Sequence, residues 1–289
     1  MDLNNDGFND ILSGSYSWDN RELGMAGTFQ VLYGEDDGTF KKPINLTGSD
    51  DNVLIIPATQ ENVIEKICTR PTATDWDGDG NTDLIVGNFA GSFYVFKGDA
   101  DGNFYPEPEQ VKVDGEPLMV PGMHSDPFVI DWDGDGDMDL LSGSAQGGVF
   151  FAENTAGAGT TPELKAFEQV IEPAGYAQAG AGPTPTAPAG STRIWIDDVD
   201  GDGKFDLLVG DSARVVSYPE GMTQEESQAR QAEWDETTQQ IIAEMQALQA
   251  DPQSEAYQEV MQRYQAHYQS RSEFILEEST GFVWLYVQQ

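Results

Sequence analysis

One aspartate-rich loop occurs four times in the chain, and it constrains the fold more than any other feature of the sequence. The copies are DLNNDGFNDILSG from Asp2, DWDGDGNTDLIVG from Asp75, DWDGDGDMDLLSG from Asp131 and DVDGDGKFDLLVG from Asp198. Each follows the pattern Asp-x-(Asp/Asn)-x-Asp-Gly-x-x-Asp and continues into a short apolar run that ends in Gly. A loop repeated in one register indicates a supersecondary unit that is itself repeated.

Apolar segments rich in Val, Phe, Tyr and Trp surround the loops, as half-buried strands require. RPTAT, PFVI and TRIWID precede three loops, a short strand follows every loop, and a further strand starts near Gly27, Gly91, Gly147 and Thr280. The turns GEDDGTF and GDADGNF then lead into another extended segment. Four antiparallel strands per repeat predict an all-β fold, a β-propeller with about four visible blades in an incomplete or open ring. A sandwich of unrelated hairpins is the alternative, and the fourfold register disfavours it.

The repeat pattern breaks between Gly210 and Thr280, where Gln, Glu and Ala dominate. We predict two helices there, at about 223–250 and 254–278, packed as an antiparallel hairpin, with Thr223 and Glu226 forming a capping box. The expected contact faces are Trp234, Ile241, Met245 and Leu248 on the first helix and Tyr257, Met261, Tyr264, Tyr268 and Ile275 on the second. The predicted domains are a propeller of 1–212 with 280–289, and a helical insertion of 213–279 within the last blade.

Acidic oxygens at positions 1, 3, 5 and 9 of each loop converge on one point, and Gly at position 6 allows the bend, as in the first half of an EF-hand loop. Backbone oxygens at position 7 complete the set, and hard all-oxygen ligands favour about four structural Ca²⁺ ions. Solvated Asp/Gly turns are the alternative. The candidate ligands are Asp2, Asn4, Asp6, Phe8 and Asp10; Asp75, Asp77, Asp79, Asn81 and Asp83; Asp131, Asp133, Asp135, Asp137 and Asp139; and Asp198, Asp200, Asp202, Lys204 and Asp206.

The core D-x-D-x-D-G-x-x-D-L-(L/I)-x-G resembles the FG-GAP/VCBS repeats and the calcium loops of integrin α-subunit propellers. The resemblance covers nearly the whole chain except about residues 213–279. It implies a calcium-stabilised β-propeller in a secreted or cell-surface protein that serves adhesion, ligand binding or scaffolding. Some extracellular polysaccharide lyases are built on similar propellers, so a lyase is the alternative function. Six to eight blades are more usual in this group than the four loops visible here.

Composition excludes several partners. The chain of 289 residues has 51 acidic against 14 basic residues and a net charge of −37, which argues against nucleic acid and against an anionic membrane surface. No apolar run reaches the roughly 18 residues of a membrane helix, so no membrane insertion is expected. No signal peptide is recognisable, and because residue 2 already belongs to the first repeat, we expect a chain truncated at its N-terminus.

Strand order predicts where a ligand would bind. The aspartate loops join first and second strands and therefore lie on one face of a meander, whereas the long segments 52–66, 114–126 and 173–192 lie on the opposite face. A protein or polysaccharide ligand is expected on that face, and the helical arm offers a surface for self-association or docking. His124 lies in the segment 114–126 on the expected ligand face, and it could serve as a general base with Arg193 or Tyr176 nearby. Because no catalytic motif is recognisable, no catalytic residue is assigned and a binding module is favoured over an enzyme.

Overall fold

The computed structural model describes residues 1–4, 6–16, 26–57, 63–174, 185–249 and 251–288. The chain divides into two compact units. One consists of Met1–Gly175, Ala187–Ser212 and Phe282–Gln289, and the other of Tyr176–Thr186 and Ala213–Gly281. The described residues are mostly β, with several antiparallel sheets and two long helices, so the expectation of a β-rich chain with a helical insertion is confirmed.

The first unit contains a series of antiparallel meanders in chain order. The first sheet has the order β1-β2-β3, the second β4-β5-β6-β7 and the third β10-β11-β12-β13. A short helix α1 and a β8-β9 hairpin lie between these sheets in sequence, and the hairpin was not predicted. The bounds are β1 Ile11–Ser13, β2 Gln30–Leu32, β3 Ile44–Asn45, α1 Val63–Lys66, β4 Arg70–Thr74, β5 Asp83–Gly87, β6 Phe93–Phe96, β7 Glu109–Gln110, β8 Lys112–Val113, β9 Glu116–Pro117, β10 Asp126–Ile130, β11 Asp139–Gly143, β12 Val149–Ala152 and β13 Glu168–Ile171.

The last sheet of this unit is built from β14 (Gly190–Asp197), the first part of β15 (Asp206–Ser217) and β17 (Val283–Tyr286). β15 lies between its two partners, with Leu208 opposite Trp195 on one side and Leu285 on the other. The third strand of the last repeat is therefore present, but it begins at Val283 and not near Thr280. The residues just before it form a separate strand that belongs to the second unit.

Three apolar clusters lie between successive sheets of the first unit. Neighbouring residues of β5 point to opposite sides: Leu84 and Val86 join the cluster with the first sheet, and Ile85 joins the cluster with the third. The third cluster combines residues of β11 and β12 with residues of β14 and β15. Because this central sheet is covered on both faces, β5 shows no alternation of buried and exposed positions, and all five of its residues, including Asp83, are buried.

The second unit is a helical hairpin on a two-stranded ladder. Its elements are α2 (Gln224–Leu248), α3 (Glu255–Ser270), a 3₁₀ turn (Arg271–Glu273) and β16 (Leu276–Thr280), which pairs with residues 213–217 of β15. The capping box is confirmed, since the Thr223 hydroxyl accepts from the Glu226 amide and the Glu226 carboxylate accepts from the Thr223 amide.

The two helices run antiparallel, as predicted. The Trp234 ring stacks on His267 at 4.8 Å between centroids, and its Nε1–H donates to the His267 carbonyl oxygen at 2.9 Å. Further along the helices, Arg263 donates to Glu244 at 2.7 Å. A pair of contacts in which one residue number rises while the other falls defines an antiparallel hairpin.

Two details of the helix prediction are wrong. The second helix ends at Ser270 and not at 278, because Leu276–Thr280 pairs as a strand and Ile275 lies beyond the helix. Tyr268 is 57 % exposed, so it does not belong to the buried face. That face runs through Val260 and His267, and one residue further along a helix is rotated by about 100° away from it.

Candidate metal centres

The four aspartate loops share one hydrogen-bonding pattern. The aspartate at position 1 accepts from the amide of the glycine at position 6, over distances of 2.8–3.1 Å. The aspartate at position 5 accepts from the amide at position 7, over 2.8–3.1 Å. All four position-6 glycines have a positive φ, between 87° and 97°. The bend predicted at this glycine is therefore present in every copy, because glycine adopts this conformation without steric cost.

The last aspartate of each loop joins the loop to the end of the third strand of its repeat, which is β2, β6, β12 or β17. Its Oδ2 accepts from the amide at position 2, and its Oδ1 accepts from an amide two residues beyond the third strand. The donors beyond the strands are Gly34, Gly98, Asn154 and Gln288. These aspartates, Asp10, Asp83, Asp139 and Asp206, are all buried. Each carboxylate thus holds its loop in place and also contributes a negative charge inside the protein.

Three carboxylates converge in each of three loops. The oxygens of positions 1, 3 and 9 lie within 4.8 Å of one another in the groups Asp75–Asp77–Asp83, Asp131–Asp133–Asp139 and Asp198–Asp200–Asp206. In the first loop Asn4 replaces the carboxylate at position 3, so only Asp2 and Asp10 occupy the equivalent positions. This spacing suits a hard divalent cation, which binds carboxylate oxygens from several side chains at once.

The second and third loops contain buried oxygens that lack a donor. Asp75 Oδ1 and Asp77 Oδ1 have no hydrogen-bond partner, nor has Asp137 Oδ1 in the third loop. Burial raises the pKa of Asp83 and of Asp139, and the neighbouring charges of Asp77 and Asp133 raise these two pKa values further. A bound cation would satisfy such oxygens and offset the repulsion. The residues present therefore fit a divalent metal ion.

Position 5 differs from the other predicted side-chain positions. Asp6, Asp79, Asp135 and Asp202 are exposed, and in the second to fourth loops they lie outside the converging groups of three. At position 7, the residues Phe8, Asn81, Asp137 and Lys204 donate their amides to the position-5 side chains. Metal binding by the position-5 carboxylates and by the position-7 carbonyls stays a prediction.

A basic side chain that the sequence analysis did not assign lies inside the second loop. Lys97 Nζ is 2.6 Å from Asp77 Oδ2 and 3.1 Å from Asp83 Oδ2. Lys97 follows β6 directly, and the signal that could have revealed it is the comparison of this position in the four repeats. The other three have Tyr33, Glu153 and Val287, so Lys97 is the only cation among them.

A second polar cluster joins the first strands of three sheets. Arg70 of β4 and Arg193 of β14 both face Asp126 of β10, with Nε–Oδ1 distances of 3.6 and 3.7 Å. Burial raises the pKa of Asp126 in spite of the two arginines, which act in the opposite direction. Since charged side chains from three sheets meet here, the cluster links strands that are far apart in the sequence.

His124 lies next to this cluster. Its amide donates to the carbonyl of Phe89 at 3.1 Å, its ring packs on the Phe89 ring at 4.3 Å, and its φ is 53°. Burial lowers the pKa of His124, and the positive charges of Arg70 and Arg193 lower it further. The charge of Arg193 therefore acts on His124, Tyr176 lies outside the described residues, and a general-base role for His124 stays a prediction.

The chain thus contains repeated antiparallel sheets with acidic loops between their first and second strands, and a comparison with known families agrees with this repeat organisation. Residues 75–142 match the family model described as FG-GAP-like repeat. The matched segment contains the second and third aspartate loops together with strands β5 to β10. This segment is therefore similar to an FG-GAP-like repeat, and the predicted resemblance is confirmed for it. No curated protein and no solved structure matches the chain.

Within the described ranges, no helix combines the length and the apolar character needed to cross a membrane.

Proposed function

We propose that the aspartate loops bind Ca²⁺ and that the sheets of the first unit are successive blades of a calcium-stabilised β-propeller. The observation that carries this proposal is the convergence of three carboxylates in each of three loops, with two donor-free buried oxygens in one of them. Apolar clusters between sheets that follow one another in the chain support the propeller, because blades pack face to face in sequence order.

The residues of each loop have separate roles in this proposal. Positions 1, 3 and 9 hold the ion, and the exposed position-5 aspartates with the position-7 carbonyls supply the remaining ligands, for about four ions in all. The position-9 aspartate also connects the loop to the third strand, so ion binding and strand packing depend on the same carboxylate. The ion supplies positive charge that removes the repulsion between these carboxylates. Its role is therefore structural.

We further propose that the protein is a secreted or cell-surface module for adhesion, ligand binding or scaffolding. Support comes from the FG-GAP-like repeat and from the strand order of the meanders, which puts the aspartate loops at one end of the sheets. A protein or carbohydrate ligand would bind at the opposite end, where long connections such as 114–125 precede the first strands. The helical hairpin would serve for self-association or for docking to a partner.

Thermal unfolding with Ca²⁺ and with excess chelator tests the metal proposal. A ligand that binds only the folded state raises its stability by mass action, so the melting temperature should be many degrees higher with Ca²⁺. Asp131→Asn should lose a large part of this calcium response. Asp36→Asn, an exposed aspartate in a turn outside the loops, is the matched control and should keep it. Identical melting curves with calcium and chelator would overturn the proposal.

A second candidate function is a polysaccharide lyase, and the environment of His124 favours it. An imidazole acts as a general base only when it is unprotonated, and the lowered pKa of His124 favours that form at neutral pH. Arg193, whose side chain is 44 % exposed, could bind the carboxylate of a uronate. The imidazole would take the proton from the carbon next to that carboxylate, and the electron pair of the broken carbon–hydrogen bond would form a carbon–carbon double bond. The glycosidic bond on the neighbouring carbon would break, and its oxygen would leave with the bonding pair and take a proton from water.

Incubation with acidic polysaccharides separates the two functions. Absorbance from unsaturated uronates that disappears in His124→Asn would establish the lyase. Binding of a polysaccharide without such absorbance would support the binding module. Asparagine is chosen because it tolerates the positive φ of this position.

A further inference from the structure

The second aspartate loop contains its own cation. Lys97 Nζ bridges Asp77 at position 3 and Asp83 at position 9, at 2.6 and 3.1 Å, and the lysine side chain is only 23 % exposed. Both aspartates belong to the group of three whose oxygens lie within 4.8 Å of one another. The ammonium group therefore occupies two of the oxygens that a metal ion in this loop would use.

The same position in the other repeats carries no positive charge. In the first repeat the residue is Tyr33, and burial raises the pKa of its hydroxyl, with a smaller contribution from the charge of Asp10. In the third repeat Glu153 pairs with Lys165 at 2.7 Å, and in the fourth the residue is Val287. The second loop is thus the only one of the four with a lysine at this position.

We propose that Lys97 is an internal counter-ion that weakens divalent metal binding in the second loop and keeps this loop closed when no metal is bound. The inference rests on the proposed calcium binding. A divalent ion entering the second loop must displace the ammonium group or share the carboxylates with it. Two donor-free oxygens, on Asp75 and Asp77, remain for the ion, so the site keeps the capacity to bind but with a lower effective charge.

Both effects follow from the charges within the loop. Calcium affinity in acidic loops depends on the number of ligand charges, and one ammonium group cancels one carboxylate. Without metal, the same group offsets the repulsion among three carboxylates that the third loop must tolerate. The second loop should therefore bind calcium less tightly than the third loop and depend on it less.

Calcium titration of the full chain tests the affinity. Lys97→Met retains an apolar side chain without the charge. In this variant, one site should bind calcium about tenfold more tightly than in the unchanged protein. Lys97→Arg retains the cation and should behave like the unchanged protein. Lys42→Met, which removes an exposed lysine outside the aspartate loops, is the matched control and should leave the titration unchanged. Superimposable titrations of Lys97→Met and the unchanged protein would overturn the inference.

Hydrogen exchange in chelator tests the second effect without any metal. The amides of 75–83 should be better protected than those of 131–139 in the unchanged protein, and Lys97→Met should remove this difference. Equal protection of both loops in the unchanged protein would contradict the inference. If no variant binds calcium, the proposed function fails. If the unchanged protein binds calcium and Lys97→Met has no effect on titration or exchange, the inference about Lys97 alone fails.

Discussion

The repeated sheets and the helical hairpin satisfy their polar groups in different ways. In the sheets, a buried aspartate such as Asp139 accepts one amide seven residues earlier and another fifteen residues later. In the hairpin, the caps are local: Thr223 and Glu226 are three residues apart, and Ser254 accepts from Tyr257. Among the described side chains of the two long helices, only Ser227, Ile241 and Val260 are buried. The sheets therefore depend on long-range contacts and buried charge, and the hairpin depends mainly on local structure.

The largest expected effect is on the sheets. Asp139→Ala leaves the amides of Trp132 and Asn154 without acceptors in a buried place, which should lower the free energy of unfolding by about 2–5 kcal/mol. Asp135→Ala, in the same loop but exposed, should cost much less when both are measured by urea denaturation in chelator. A loss of ligand binding by Asp139→Ala at an unchanged melting temperature would contradict a structural role for this residue.

The next effect is confined to the hairpin. Trp234→Ala removes the stack on His267, the bond from Nε1 and the contact with Arg271, and should cost about 2–3 kcal/mol, less than a fully buried tryptophan would. The matched control is Tyr268→Ala, which removes an exposed ring. Hydrogen exchange should increase in α2 and α3 and stay unchanged in β11. Faster exchange in β11 as well would break the distinction between the two regions.

Excision of the hairpin should have a smaller effect on the sheets. Ser217 and Leu276 are directly opposite each other, so residues 218–275 can be replaced by a two-residue Asn-Gly turn that keeps the β15–β16 ladder. The helical circular dichroism should be lost, and the free energy of unfolding of the sheets should change by less than about 1 kcal/mol. A shortened protein that fails to form β structure in calcium would show that the sheets require the hairpin.

The smallest effect concerns pH. The pKa of His124 in the folded protein lies below its ordinary value of 6.5, so folding favours the neutral imidazole. The stability that this group contributes is present above about pH 6.5 and is lost as the pH falls toward the folded pKa. The melting temperature should therefore fall more between pH 7 and more acidic buffer in the unchanged protein than in His124→Asn. Parallel pH profiles would show that His124 does not contribute.

Local sequence signals predict a large part of both regions. The Asp/Gly pattern predicts the four loops and the strands around them, and the spacing of apolar residues with the Thr223–Glu226 pair predicts two helices within about two residues at three of their four ends. These features depend on residues a few positions apart, so they are readable without a structure. The same signals do not predict the end of α3, because Leu276–Thr280 becomes a strand through pairing with residues about sixty positions earlier.

By itself, the amino-acid sequence determined the repeated strand–loop–strand order, the bend at each position-6 glycine and the helical character of the insertion, because each is a property of short segments. Only the tertiary structure decided which sheet each residue of β5 faces, since a strand buried on both sides has no polar alternation to distinguish them. It also decided that Asp139 reaches the end of β12 and that Lys97 reaches Asp77 across twenty residues. Such contacts arise when strands distant in sequence pack side by side, so no local sequence pattern predicts them.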